Sequence, residues 1–356
     1  MFIFIYFLFT VSLFLLLLPF TVLLENELLL LEAGSCNSNM TVHSIAFFAL
    51  GTINSIRVFC EEDEAIVWKA VERVKEIEKR MSAFLPSSDL SLIREKAGGG
   101  FQPIHDDTFR LLEKAVKFGR QTQGAFDITI NPLVQLWGIN KKGDFVPSEA
   151  EIQESLALVD YRSVHLDHQS TSCSLAKKGQ SIDLGGIAKG FAADEVRKIL
   201  IENGVQSALI DLGGNIATVG NHPDGGSWKI GIQNPLAPRG EYAACLSVSD
   251  RTIVTSGSNE RFFMKDGIRY HHIIDPRTGK PAQSSVLSVT AIGNNSVYAD
   301  ALTTAFFILG PEKSFPLIRQ FHVEAVFIMK DLSVVVSRGL KESITFQGGV
   351  CLHETA

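Results

Sequence analysis

Ser181-Ile182-Asp183-Leu184-Gly185-Gly186-Ile187-Ala188-Lys189-Gly190 reads as a strand, a glycine turn and then a helix running to about Asn203, where Gly204 closes it. Glycine lets bare backbone approach a ligand, and the first N–H groups of the following helix point toward an anion. The phrase matches neither GxGxxG nor GxxxxGK[ST], so neither a Rossmann site nor a P-loop is indicated. A second copy of its core, Asp211-Leu212-Gly213-Gly214, follows another predicted strand. The pair suggests an internal duplication, although so short a phrase cannot prove one.

Outward from this stretch the chain alternates short strands with a few helices. Around Gly51 the apolar residues Ile45, Phe47, Phe48, Leu50, Ile53, Ile56 and Val58 predict two strands joined at the glycine. Ile66, Ala70, Val74, Ile77 and Met81 fall at helical spacing between Asp63 and Met81. A second helix is expected from a cap at Asp106 to about Gly124, and Ser148 with Glu151 forms a capping box for a third. Strands are predicted near 163–166, 172–176, 228–232, 244–248, 252–255, 269–274, 287–292, 325–329 and 333–337, with helices over 298–309 and 314–321. Strands outnumber helices and hairpin-like connections predominate, which predicts an α+β fold with a mixed, largely antiparallel sheet and flanking helices. No low-complexity linker interrupts the region, so residues 40–340 read as one catalytic unit and 341–356 as a tail.

The 356 residues are 46% hydrophobic and 20% charged, enough to bury a sizeable core. A net charge of −6 leaves no basic footprint for a phosphate backbone, which argues against nucleic acid as a partner. Cys36, Cys60, Cys173, Cys245 and Cys351 are scattered and contain no CxxC pair, so neither a disulfide framework nor a zinc site is expected. Residues 1–39 stand apart. Met1 to Leu24 is uncharged and long enough to span a bilayer, which needs about 20 apolar residues. No Lys or Arg precedes Arg57, so the basic flank of a signal peptide and the charge bias that orients a membrane helix are both missing. Three readings follow: membrane association through this segment, lipidation at Cys36 after Ala33-Gly34-Ser35, or a start at Met40 that makes the protein cytoplasmic.

Several phrases could carry chemistry, each with a plain structural alternative. Gly98-Gly99-Gly100 reads as a surface loop rather than a phosphate cradle. In Ala299-Asp300-Ala301-Leu302-Thr303-Thr304 the three oxygen-bearing side chains can share a helix face and suit a hard cation, although an Asp near a helix start is usually a cap. His271 and His272 precede Ile273-Ile274-Asp275-Pro276; neighbours on a strand point to opposite faces, so at most one histidine enters a given pocket. Gly124-Ala125-Phe126-Asp127-Ile128-Thr129 and Leu136-Trp137-Gly138 could line a flat heterocycle, yet Phe and Trp are more often core.

In their order along the chain these phrases, with Arg80-Met81-Ser82-Ala83-Phe84, Ser88, Phe191, Asp194, Thr255-Ser256-Gly257 and Thr278-Gly279, resemble the ApbE-type FAD:protein FMN transferase family from about Leu50 to Met329. The resemblance implies an enzyme that splits FAD with Mg2+ and attaches FMN to a Ser or Thr of an acceptor flavoprotein, releasing AMP. By the same resemblance Leu50, Phe84, Ala125, Phe126, Asp127, Gly185, Phe191 and Ile274 contact the flavin nucleotide. Asp300, Thr303, Thr304 and the carbonyl of Ala188 hold the cation. His272 is expected to accept the hydroxyl proton, with Asp275 orienting it. Leu50 stands where the family commonly has methionine, a swap of similar size. The implied acceptors include subunits of membrane redox complexes. Two other outcomes fit the same residues: an Mg2+-dependent FAD pyrophosphatase using water, and a flavin-binding protein without turnover.

Overall fold

The computed structural model describes residues 41–60, 64–139, 141, 143–347 and 352–354. The expectations for Met1 to Leu24, Cys36 and Met40 lie outside the described residues, within which no helix is long and apolar enough to cross a membrane.

Nine strands form one sheet: β1 (Thr41–Ala49), β2 (Thr52–Cys60), β3 (Ser207–Leu212), β4 (Asn215–Val219), β5 (Thr252–Gly257), β6 (Val286–Gly293), β7 (Glu324–Met329), β8 (Val334–Val336) and β9 (Leu352–Glu354). Their order in the sheet is their order in the chain, and every adjacent pair is antiparallel except β8 with β9. The fold is thus an α+β meander into which other elements are inserted. Between β2 and β3 come α1 (Ala65–Met81), α2 (Asp89–Glu95), α3 (Asp106–Gln121), α4 (Asn131–Trp137), α5 (Glu149–Leu156) and α6 (Ala188–Glu202). Between β6 and β7 come α7 (Ser296–Leu309) and α8 (Pro311–Phe321).

Both sheet faces are buried, and the alternation along each strand shows how. Val254, Ala291, Ala325 and Phe327 join the core under α1, α6 and α7. Their neighbours Ile253, Ile292, Val326 and Ile328 face Trp228, Ile230, Leu246 and Val248 of a smaller antiparallel sheet on the opposite side. That smaller sheet takes in Ile344–Phe346, and β9 pairs with β8, so residues expected as a tail belong to the folded unit.

Local chemistry accounts for the elements. Leu50 and Gly51, with φ of 55° and 71°, make the left-handed two-residue turn that suits the twist of a hairpin. Gly213 and Gly214, at 62° and 86°, do the same between β3 and β4. Gly185 and Gly186 are outside the left-handed region and lead into α6, so the two Asp-Leu-Gly-Gly phrases fold differently and are no structural duplication. Ser181–Leu184 joins no ladder, contrary to the expected strand. Its Asp183 N–H instead donates to the Ile128 carbonyl at 2.8 Å, and Ile182 and Leu184 are anchored in the core. The helix over Ala65–Met81 and the Ser148 capping box form as predicted. Asp106 begins α3 rather than capping it, with His105 in the cap position. Helix α2, whose Ser88 hydroxyl accepts from the Ser91 N–H at 3.1 Å, was not foreseen.

Helices α6 and α7 touch at Gly190. A Cβ there would collide with the Ser296 carbonyl oxygen and lie 2.9 Å from Asp300 Cβ. Lower on the same contact, Asp194 accepts from the Ser296 and Val297 N–H groups at 2.8 and 3.0 Å, satisfying two donors at the start of α7. Gly190→Ala is therefore expected to cost about 3 kcal/mol by forcing packed backbone apart; urea unfolding checks this, and an unchanged midpoint would contradict it.

Candidate active site

The hairpin tips at Leu50–Gly51 and Gly213–Gly214 and the end of β5 at Gly257 lie at the same end of the sheet's strands. There the glycine turn before α6 meets the middle of α7. Asp300, 4% exposed, accepts the Gly190 N–H on Oδ2 at 2.9 Å and faces Lys189 Nζ across 3.7 Å on Oδ1. Thr303 Oγ1 donates to the Asp300 carbonyl at 2.8 Å and accepts from Ser256 Oγ on β5 at 2.9 Å. Thr304 Oγ1 looks at Gly186, where a Cβ would stand 3.3 Å away and 3.4 Å from the Phe126 ring. Asp300, Thr303 and Thr304 are spaced three and four apart on α7, Thr303 turned to β5, Thr304 to Gly186 and Asp300 to Gly190 and Lys189. Ala188 opens α6 beside them and is buried.

This donor set suits a hard cation. Among the described residues no group of three or more His, Cys, Asp or Glu is placed to hold a metal ion. One carboxylate, two hydroxyls and a carbonyl are oxygen donors of the kind Mg2+ takes, with positions to spare for water or phosphate. Among the described residues Asp300 Oδ1 has only the long Lys189 contact, which leaves acceptor capacity for an ion.

Cationic side chains surround the turn. Asp183 accepts the Gly185 N–H at 2.6 Å; burial pushes its carboxyl up, opposed by that bond and by the charges of Lys189, Lys141 and Arg261. Arg261 also shapes His272. Its carbonyl accepts from the His272 backbone N–H at 3.0 Å and lies 3.3 Å from ring Nδ1. A carbonyl only accepts, so Nδ1 carries the proton and Nε2 keeps a free lone pair. Burial lowers the His272 pKa to about 4; the carbonyl bond opposes this, and the charges of Arg261, His271 and Lys189 add to it. The ring is neutral at neutral pH.

His271 points the other way, as strand alternation requires. It is buried edge-on to Phe307 with ring centroids 5.3 Å apart, and its Nε2–H donates to the Ala282 carbonyl at 3.1 Å. Asp275 does not orient His272: its carboxylate is gripped by Arg277 through Nε at 2.9 Å and Nη2 at 2.8 Å. Both carboxylate oxygens are thereby engaged by one guanidinium.

One consequence concerns pH. For a base at His272, protonation takes hold only as pH falls through about 4, which predicts an acid limb of kcat/KM near 4 rather than the ordinary histidine value of about 6.5. Stability shifts too. His271 and His272 are both lowered to about 4, so the unfolded chain binds more protons below about 6.5, and stability falls between that pH and 4. An acid limb near 6.5 would contradict this environment.

The residues named for the flavin nucleotide are spread over several environments. Gly185 is exposed at the turn, and its carbonyl accepts from Lys189 Nζ at 3.2 Å. Ala125, Phe126, Phe191 and Ile274 are buried, and Phe126 closes against Gly186. Asp127 is spent on the fold: one oxygen takes the Thr129 N–H and hydroxyl, the other the Tyr161 N–H. Leu50 sits in the β1–β2 turn, its N–H donating to Glu78 at 2.8 Å. Phe84 is 65% exposed on the loop after α1, with Lys141 Nζ 4.0 Å above its ring. Lys141 and Arg261 were not singled out beforehand, since each lies in a loop with no periodic or motif signal. Cys173 and Cys245 are unbridged, and burial pushes the Cys173 thiol up to about 12, leaving it inert.

The model of the ApbE family matches residues 50–327. The chain is 38% identical over 336 residues to the FAD:protein FMN transferase of Treponema pallidum, covering 89% of this chain and 93% of that protein. It is 35% identical over 301 residues to a protein of that name from Klebsiella pneumoniae, covering 84% and 93%. Among solved structures, the ApbE protein of Thermotoga maritima superposes with a TM-score of 0.79 at 30% identity, covering 85% of this chain and 98% of that one. The apo flavinyl transferase ApbE of Pseudomonas stutzeri gives 0.76 at 27% identity, covering 87% and 98%.

Proposed function

The chain belongs to the ApbE family, and from that premise we infer that it is an FAD:protein FMN transferase whose chemistry occurs where α6 meets α7. What supports this placement is that Lys189, 3.7 Å from Asp300 on α7, also acts by its charge on Asp183 in the glycine turn and on His272, with Lys141 and Arg261 acting on the same Asp183.

The substrate's diphosphate is anionic and repels an attacking oxygen. Mg2+, held by Asp300, Thr303, Thr304 and the Ala188 carbonyl, would spread that charge. Lys141, Lys189 and Arg261 add positive potential on the protein's side of the bridge. A Ser or Thr hydroxyl of the acceptor attacks the phosphorus on the FMN side. The new O–P bond forms as the bond to the AMP oxygen breaks, and AMP leaves with the electron pair. His272 Nε2 takes the hydroxyl proton. The backbone of Gly185 and Gly186, free of side chains, lets the diphosphate come close. Phe84, exposed under Lys141, offers a flat apolar face to the isoalloxazine. The partner proposed is a flavoprotein with a target Ser or Thr, such as a subunit of a membrane redox complex.

Incubation with FAD, Mg2+ and an acceptor tests the reading. Flavin fluorescence that stays with the acceptor on a denaturing gel, together with an equal amount of AMP, is expected. AMP and free FMN without labelled acceptor would assign hydrolysis by water instead, and FAD uptake without AMP would leave a binding protein. Membrane association through Met1 to Leu24 is a separate proposal, and mass spectrometry of the native amino terminus tests it: a start at Met40 removes it.

A further inference from the structure

A carboxylate as buried as Asp300 needs a cation or a full set of donors. The Gly190 N–H serves Oδ2, and among the described residues Lys189 is the cation paired with Oδ1. The same ammonium donates to the Gly185 carbonyl, so it sits between the glycine turn and the α7 face that carries Thr304. Asp300 Oδ1 is therefore an atom that Lys189 and a divalent cation would both claim. Two cations so close repel strongly in a partly dehydrated site. Lysine is suited to yield, being a compact charge on a flexible stem. Its side chain is 26% exposed, leaving room to swing. Once it leaves Asp300, it joins Lys141 and Arg261 around Asp183, an arrangement with more positive than negative charge and a ready seat for an anion.

Resting on the reading of the preceding subsection, we propose that Lys189 is a positioning residue: it neutralises Asp300 in the metal-free enzyme and moves to the substrate diphosphate when a divalent cation displaces it. Metal binding thereby arms the FAD site, and the two ligands are coupled through one side chain. Coupling of this kind is reciprocal, so each ligand raises the affinity for the other.

Lys189→Gln in the full chain tests this by calorimetry. With Mg2+ alone, the variant is expected to bind the ion about tenfold more tightly than the wild type, because its competitor is gone. With saturating Mg2+, it should bind FAD about tenfold more weakly, and Lys189→Arg should restore both affinities toward wild type. Opposite changes in the two affinities are not what a structural defect produces. Unchanged or weaker Mg2+ binding in Lys189→Gln, or unchanged FAD binding, overturns the proposal. If the wild type binds both ligands and the variant does not differ, the role of Lys189 alone fails. If the wild type takes up no Mg2+, the cation site fails with it.

Discussion

Asp300→Asn is expected to lower FMN transfer at least about 10³-fold while leaving the fold nearly intact, the scale of losing a metal's charge stabilisation. The replacement has the same shape, and its amide oxygen can still accept the Gly190 N–H that joins α6 to α7. What disappears is the negative charge that holds a cation and pairs with Lys189. Unfolding by urea should move by no more than about 2 kcal/mol, the worth of a charge-assisted hydrogen bond reduced to a neutral one. Turnover near wild type would remove Asp300 from the cation site, and Asp300→Ala should behave like Asn in activity.

The second large effect is at His272. Its replacement by glutamine keeps a polar group near the Arg261 carbonyl but removes the proton acceptor, and kcat should fall between about 10² and 10⁴-fold. The residual activity should lose the acid limb near 4, because no group with that pKa remains in the role. Loss of rate with the limb preserved would assign the base to another residue. Asp275→Asn is a useful contrast. Its carboxylate pairs with Arg277, so its effect should fall on the turn from Asp275 to Gly279 rather than on the pH profile.

The sequence made the meander legible because nearly every strand has its own alternation or glycine turn, as at Leu50–Gly51 and Gly213–Gly214. It misled at Ser181–Leu184, where buried Ile182 and Leu184 imitate a strand although the N–H of Asp183 is tied to Ile128 and no neighbour pairs with it. It also misled at Ile344–Phe346 and Leu352–Glu354, whose pairing is set by distant partners, Tyr242–Val248 and β8. The helix that carries Asp300, Thr303 and Thr304 could be anticipated, because its apolar run and its spacing are local to the sequence. The partner of His272 could not, since a backbone carbonyl contributed by Arg261 leaves no mark in residue type. Nor could the ring of cations: Lys141 and Arg261 are far apart in sequence, and only the folded turn gathers them around Asp183.

Titration of FAD into the purified protein, once with Mg2+ and once with a chelator, tests most directly whether a cation on α7 grips the diphosphate. The account predicts uptake at least about tenfold tighter with the ion in the wild type, and no such difference in Asp300→Asn. Equal affinity with and without Mg2+ in the wild type would contradict it.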